Sequence, residues 1–281
     1  MQRPISQVML CQARLGMKTF AWTLVFVLLA IGGAIAQTTP EPAILAYTPP
    51  MHFVVVRNST PGCEPTCPEW ISAEGHIVAG TPALLKALLK KLGPRKLPLA
   101  LNSPGGETDA AMALGHMIRA SGLDTMVGKT EFSECAPDTK ACGPGDLRFG
   151  VANPVGAVCS SACTMVLAGG VRRLADSRAF VGIHRIMLPT AKKIHGKKTI
   201  VLVPIPKWYE RKVDSYFTEM KAGSWIVSAM QKIPDDSIRY LVTYELLDLN
   251  LVTETGHGDT RTSIDICKTT PPAGNCRTVR Q

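Results

Sequence analysis

Aromatic residues are scarce in this chain. Phe, Trp and Tyr make up 6% of the 281 residues, although 46% of the residues are hydrophobic. Basic residues exceed acidic ones and give a formal net charge of +9, but no aromatic pattern is interleaved with them. We therefore interpret the basic clusters as solvated faces and expect no nucleic-acid partner, with weak attraction to nucleic acid or to an anionic membrane as the less favoured alternative. The clusters are Lys86–Lys90–Lys91, Arg95–Lys96, Lys192–Lys193 and Lys197–Lys198.

The sequence also lacks the spacing of a metal site. Its cysteines lie in loose couples such as C-x3-C, and no ligand histidines lie close to them. We therefore expect no metal. No internal repeat is present, and a chain of this length suffices for one sizeable α/β domain with appendages.

The N-terminal stretch has the three parts of a secretory signal peptide. Arg14 and Lys18 precede an apolar run from Phe20 to Ile31, and small residues end in Ala34-Ile35-Ala36. Cleavage after Ala36 is the favoured interpretation, with Met17 as a possible true start. The alternative is an uncleaved single-span anchor, for which the run is short against the about 17–25 residues that a membrane span needs. Either way we expect the mature domain to face the periplasm, after a linker over residues 37–50.

Export agrees with the cysteine count. Cys11 would leave with the leader, and an even number of cysteines in an exported chain predicts disulfides. Cys159 and Cys163 flank a serine, and could pair with each other or with two cysteines of the preceding loop. The remaining eight are Cys63, Cys67, Cys135, Cys142, Cys159, Cys163, Cys267 and Cys276.

The segment from Cys159 to Gly170 predicts a tight turn that opens a helix, with Ser161 in the turn. A hydroxyl near a helix N-terminus lies beside unpaired N–H groups and a partial positive charge. That environment favours a nucleophile and the oxyanion it creates, although serine is also a common helix cap without chemistry.

Two other segments supply what a nucleophilic serine needs. Leu99 to Gly106 reads as a strand that ends in a Ser-Pro-Gly-Gly turn, whose glycines can expose consecutive N–H groups. Phe180 to His184 reads as a strand that ends in histidine, the usual base for serine. Together these residue types point to acyl transfer.

These three motifs, in this order, resemble those of the Clp protease proteolytic subunit and signal peptide peptidase A superfamily, over about residues 77–253. The Cys-x-Ser-Ala-Cys variant resembles uncharacterised bacterial exported Clp-like proteins. The resemblance implies an α/β ClpP/crotonase-like fold of repeated β-β-α units over residues 51–255, followed by a polar tail over 256–281. It also implies a peptide or protein substrate and a homo-oligomer. In this chain it implies a catalytic Ser161 and His184, with an oxyanion hole formed by the amides of Gly105, Gly106 and Ala162.

The chain differs from the superfamily pattern at the third catalytic residue. Ile238 occupies the position at which the superfamily places an aspartate, and Asp235 and Asp236 precede it. We favour Asp236; the alternatives are Asp235, or no acid at all.

The leading hypothesis is an exported serine peptidase, which needs no cofactor. The alternative is a non-catalytic envelope scaffold or peptide-binding protein on the same fold. An acyl-CoA enzyme is the third choice, because such enzymes do not use this serine–histidine pair.

Among the connections, we expect residues 131–150 to form a long loop and residues 191–198 an exposed basic loop.

Overall fold

The computed structural model describes residues 48–133, 147–223, 225–256 and 260–278, and all of these belong to one compact unit that begins at Pro42. The leader, with Cys11, and the cysteines Cys135 and Cys142 lie outside the described residues. The strands are β1 His52–Asn58, β2 Thr66–Glu74, β3 Leu99–Asn102, β4 Thr125–Val127, β5 Lys129–Phe132, β6 Leu147–Asn153, β7 Val158–Ser160, β8 Arg173–Ala175, β9 Phe180–Ile183, β10 Met187–Ile194, β11 Lys197–Pro204, β12 Arg239–Tyr240, β13 Glu254–Thr255 and β14 Cys276–Thr278. The helices are α1 Thr81–Leu92, α2 Thr108–Ala120, α3 Cys163–Ala168, α4 Lys207–Glu219, α5 Ile226–Gln231 and α6 Thr243–Asp248, with a 3₁₀ helix over Ile264–Cys267.

The main sheet has the strand order β13-β8-β4-β3-β2-β1-β6-β5, and β14 pairs with β2 beside this path. Strands β2, β3, β4 and β8 are parallel neighbours. Helix α1 connects β2 to β3 and helix α2 connects β3 to β4, as parallel pairing requires. The α/β class predicted from the sequence is therefore confirmed.

A small second sheet carries the functional segments. Strand β9 lies in its middle, parallel to β7 and antiparallel to β12. An isolated parallel bridge between Ser103 and Cys159 joins the end of β3 to β7. The three segments that the sequence singled out therefore end at one place in the fold.

Helix α3 is fully buried behind β7 and packs against α2. A Cβ at Gly169 would lie 2.5 Å from the Cα of Gly115, so the two helices touch backbone to backbone there. Tyr216 of α4 donates a hydrogen bond of 2.6 Å to the carbonyl oxygen of Met165. Arg119 of α2 donates to the carbonyl oxygens of Ala168, Gly169 and Gly170 at the C-terminal end of α3. These contacts fix α3, and with it the turn that precedes it.

Two connections differ from the sequence expectation. Residues 131–150 are not a loop throughout, because β5 and β6 enter this range and pair antiparallel from Lys129–Asn153 to Phe132–Gly150. Residues 191–198 are not a loop either, because they belong to the antiparallel hairpin of β10 and β11. In both places cross-strand pairing outweighs the low strand propensity of the local sequence.

The polar tail joins the sheet. Strand β14 pairs with the start of β2, and a disulfide links Cys267 to Cys276. The tail also donates from Asn275 to the carbonyl oxygen of Glu69. Over the described ranges, no helix has both the length and the apolar character needed to cross a bilayer.

Candidate active site

Ser161 lies in a strained turn between β7 and α3. Its φ angle is +56°, a left-handed conformation that costs free energy for any residue except glycine. Its N–H donates to the carbonyl oxygen of Gly182 at 2.9 Å, and its own carbonyl oxygen accepts from the N–H of Thr164 at 3.1 Å and from the Thr164 hydroxyl at 2.7 Å. The backbone is thus held on both sides of the residue, as in the strand-turn-helix elbows that expose nucleophiles.

His184 follows β9 directly and reaches this serine. Its Nε2 atom lies 2.6 Å from Oγ of Ser161, and its Nδ1 atom lies 2.6 Å from the carbonyl oxygen of Arg185. A carbonyl oxygen can only accept, so Nδ1 carries the proton and Nε2 presents its lone pair to the serine hydroxyl. This tautomer is the one that a general base needs.

No carboxylate completes the pair within the described chain. Asp235 accepts a hydrogen bond of 2.7 Å from Arg185 instead. Asp236 accepts from the hydroxyl of Ser237 at 3.1 Å, and no hydrogen bond joins it to His184. Ile238, at the position where an acid was expected, packs over Gly182. The structure therefore does not bring Asp236 to the histidine, because the main chain of Arg185 already occupies Nδ1.

The side chain of Arg185 anchors that carbonyl. Its guanidinium donates to the carbonyl oxygen of Gln231 and forms the ion pair with Asp235, so the residue is tied to the end of α5. Sequence reasoning missed this role, since every residue carries a carbonyl group and no side-chain pattern marks the one that is used.

The Ser-Pro-Gly-Gly turn lies directly against the serine. A Cβ at Gly105 would stand 2.7 Å from Cβ of Ser161 and 3.0 Å from the amide nitrogen of Ala162. The φ angles of Gly105 and Gly106 are +105° and +143°, and a Cβ at Gly106 would lie 2.0 Å from the carbonyl oxygen of Ile77. Only glycine fits at either position, for conformational and for steric reasons.

The three predicted oxyanion donors are not equivalent. The N–H of Gly105 donates to Oγ of Ser103 at 3.1 Å and is engaged in this structure. Neither the N–H of Gly106 nor that of Ala162 has an acceptor among residues 48–133, 147–223, 225–256 and 260–278. Unpaired N–H groups beside a nucleophile are suited to bind a developing oxyanion.

A disulfide brackets the turn. Cys159 of β7 and Cys163 of α3 are bonded with a Cα–Cα distance of 5.2 Å, and both are fully buried. This selects the local pairing from the alternatives that the sequence left open. Two further couples, Cys63–Cys67 and Cys267–Cys276, are also bonded.

Two groups with shifted pKa values, Arg173 and Tyr216, lie behind the site and contact α3 or the residues that follow it. Burial lowers the pKa of Arg173 to about 10, so this guanidinium remains cationic at neutral pH and donates to the carbonyl oxygens of Gly170 and Asn250. Burial raises the pKa of Tyr216, which therefore stays a neutral donor to α3. His116 bonds Glu219 on the surface. Within the described ranges, no three histidine, cysteine, aspartate or glutamate side chains cluster as metal ligands.

No family model matches the sequence, and no curated protein matches it. The solved structures with a similar fold include proteases. The membrane-bound stomatin-specific protease 1510-N is similar over 69% of this chain and 79% of its own, at 15% identity and a TM-score of 0.44. A second structure of that protease, in complex with a substrate peptide, covers 63% of this chain and 67% of its own, at 16% identity and a TM-score of 0.40. ClpP1 from Listeria monocytogenes covers 65% and 87%, at 12% identity and a TM-score of 0.40. At this level of similarity only the residues of this chain can support statements about its function.

Proposed function

We propose that the protein is an exported serine peptidase. One observation carries the proposal: the hydroxyl of Ser161 lies 2.6 Å from a histidine nitrogen whose tautomer is fixed by a hydrogen bond on the other side of the ring. A serine hydroxyl is a poor nucleophile until an adjacent base accepts its proton. The φ angle of +56° at Ser161 adds support, because strain of this kind persists where the surrounding structure maintains it.

In the proposed reaction, Nε2 of His184 accepts the proton as Oγ of Ser161 attacks a peptide carbonyl. The N–H groups of Gly106 and Ala162 bind the resulting oxyanion. The histidine then donates its proton to the leaving amine, which releases one product and leaves an acyl ester on Ser161. A water molecule, deprotonated by the same histidine, hydrolyses that ester.

The carbonyl oxygen of Arg185 replaces the acid of a conventional triad. It fixes the tautomer and the orientation of the imidazole ring, but a neutral oxygen stabilises the imidazolium less than a carboxylate does. We therefore expect slower hydrolysis than in enzymes with a complete triad. Export, cleavage of the leader, self-association and the choice of substrate stay predictions from the sequence.

A fluorophosphonate probe tests the proposal on the full-length protein. The probe reacts with serines activated by a base, so the wild type should be labelled. Ser161→Ala should abolish labelling, and His184→Ala should lower its rate by at least about 10³-fold. Ser160→Ala is a matched control, because the hydroxyl of this neighbouring serine is buried and has no hydrogen-bond partner among the described residues.

His116→Ala is the control for histidine, since His116 bonds Glu219 on the surface. Both controls should label like the wild type. A folded wild-type protein that the probe does not label would contradict the proposal. That result would favour the non-catalytic scaffold, an alternative supported by the missing carboxylate and by the engaged amide of Gly105.

A further inference from the structure

The hairpin of β10 and β11, residues 187–204, forms a two-stranded sheet of its own. At its base Leu188 packs against the main core, whereas the residues from Ala191 to Thr199 are exposed. Eight residues per strand at about 3.3 Å each give an arm roughly 26 Å long. Most of this arm is in contact with solvent rather than with the domain.

The two faces of the hairpin are different. Paired residues share a face, and the register pairs Ala191 with Ile200 and Pro189 with Leu202. The side chains of Ile200 and Leu202 are 67% and 65% exposed. Because the opposite face carries Leu188, which packs on the core, this second face is an apolar strip without a partner in the described chain.

The tip of the hairpin is strongly basic. The sequence from Met187 to Pro204 contains no acidic residue, and the tip carries Lys192, Lys193, Lys197 and Lys198, all exposed. None of these four lysines forms an ion pair with a described residue. Lys193 and Lys198 pair across the strands and continue the face that carries Ile200 and Leu202. An exposed apolar strip thus ends in a cluster of uncompensated positive charge.

We propose that this hairpin docks on the surface of an anionic lipid membrane. Acidic headgroups complement the lysine cluster, while Ile200 and Leu202 can enter the boundary of the acyl chains, about 5–10 Å deep. Long lysine side chains can place their stems along the apolar layer and keep their charges among the headgroups. The proposal is independent of the proposed peptidase activity.

Other occupants fit the hairpin less well. A second copy that pairs tip to tip would bring two lysine clusters together, which like-charge repulsion opposes. A nucleic acid would neutralise the lysines but would leave Ile200 and Leu202 exposed, and the hairpin offers no Phe, Tyr or Trp on which a base could stack. A lipid surface satisfies the charge and the apolar strip together.

Vesicle co-sedimentation of the full-length protein tests the proposal. One set of vesicles is phosphatidylcholine alone, and the other is phosphatidylcholine and phosphatidylglycerol in equal parts. Replacing Lys192, Lys193, Lys197 and Lys198 by Gln should weaken binding to the anionic vesicles by roughly 600-fold, because each of the four lysines near an anionic surface contributes about fivefold. The matched control replaces Lys86, Lys90, Lys91 and Lys96 by Gln, an equal change in charge on exposed positions in and just after α1.

A second variant, Ile200→Thr with Leu202→Thr, separates the apolar contribution. It should lower binding to anionic vesicles about tenfold or more while preserving strand propensity. Any contribution of the apolar N-terminal run is common to all variants and cancels in the comparison.

Equal losses in the hairpin variant and its α1 control would overturn the proposal, as would a wild type that shows no preference for anionic vesicles. So would a hairpin variant that retains vesicle binding but loses binding to a single-stranded DNA probe.

Discussion

At the scale of single residues, the structure orients His184 through the main chain. Its Nδ1 donates to the carbonyl oxygen of Arg185, whose guanidinium is held by Asp235 and by the carbonyl oxygen of Gln231. Asp235 therefore contacts the histidine only through Arg185, and no hydrogen bond joins Asp236 to the histidine.

A matched pair of variants tests this arrangement. Asp235→Asn should slow fluorophosphonate labelling by several-fold, because one anchor of Arg185 is weakened and the other remains. Asp236→Asn should leave the labelling rate within about twofold of the wild type. A loss of about 10⁴-fold in Asp236→Asn, the size expected for the acid of a triad, would show that Asp236 does reach His184 in solution.

Some residues of the candidate site could be predicted from sequence patterns, whereas others are identified only by their contacts in the structure. Ser161, His184 and the two glycines were recognisable from the sequence because each role requires a particular residue type. A nucleophile needs a hydroxyl, a base needs an imidazole, and a turn with positive φ angles needs glycine. The structure does place Ser161 and His184 in contact, while their catalytic roles stay predictions. The carbonyl of Arg185 was not predictable, because its role depends on where the chain turns after β9 and not on the side chain it carries.

At the scale of elements, the Cys159–Cys163 bridge ties the end of β7 to the start of α3 across the strained turn. A bridge that closes so short a loop contributes about 2 kcal/mol in the chain-entropy model. Its position suggests a second effect, because relaxation of the turn would move Ser161 away from a φ angle of +56°.

The double variant Cys159→Ala with Cys163→Ala should therefore lose both stability and reactivity. Chemical denaturation should show a loss of about 2 kcal/mol, and labelling of the folded protein should slow by at least tenfold. The double variant Cys267→Ala with Cys276→Ala is the control, since that bridge lies in the tail and should affect stability alone. Equal labelling rates in the two variants would mean that the turn keeps its shape without sulfur.

Some secondary-structure elements could be predicted from the sequence and others could not. The helices were predictable because their apolar residues recur at the spacing of one buried face. The parallel strands were predictable because short continuous apolar runs indicate burial on both faces. Residues 191–198, at the tip of the hairpin, were expected to form a loop, since lysine-rich residues carry little strand signal and only the register with β11 makes them part of a strand pair.

At the scale of the whole molecule, the C-terminal tail belongs to the structure of the sheet. Arg57, 1% exposed, donates to Glu69 and to the carbonyl oxygen of Arg277. The N–H of Glu69 donates to the carbonyl oxygen of Asn275, and Asn58 donates to that of Thr262. The tail thus supplies hydrogen-bond acceptors to buried polar groups of β1 and β2. The composition of the tail alone had indicated only a polar appendage.

Truncation after Gly256 should therefore destabilise the domain without altering its chemistry. Buried polar groups that lose their acceptors, with a buried guanidinium among them, predict a loss of about 3–5 kcal/mol in the free energy of unfolding by urea. The fraction that remains folded should label with fluorophosphonate at the wild-type rate, because none of the tail contacts involves Ser161 or His184. Arg277→Ala is the control, since the sheet uses only the main-chain carbonyl of this residue and its side chain is exposed. If the truncated chain unfolds at the same urea concentration as the wild type, Glu69 and Arg57 must be satisfied without the tail, and the sheet from β1 to β13 is then self-sufficient.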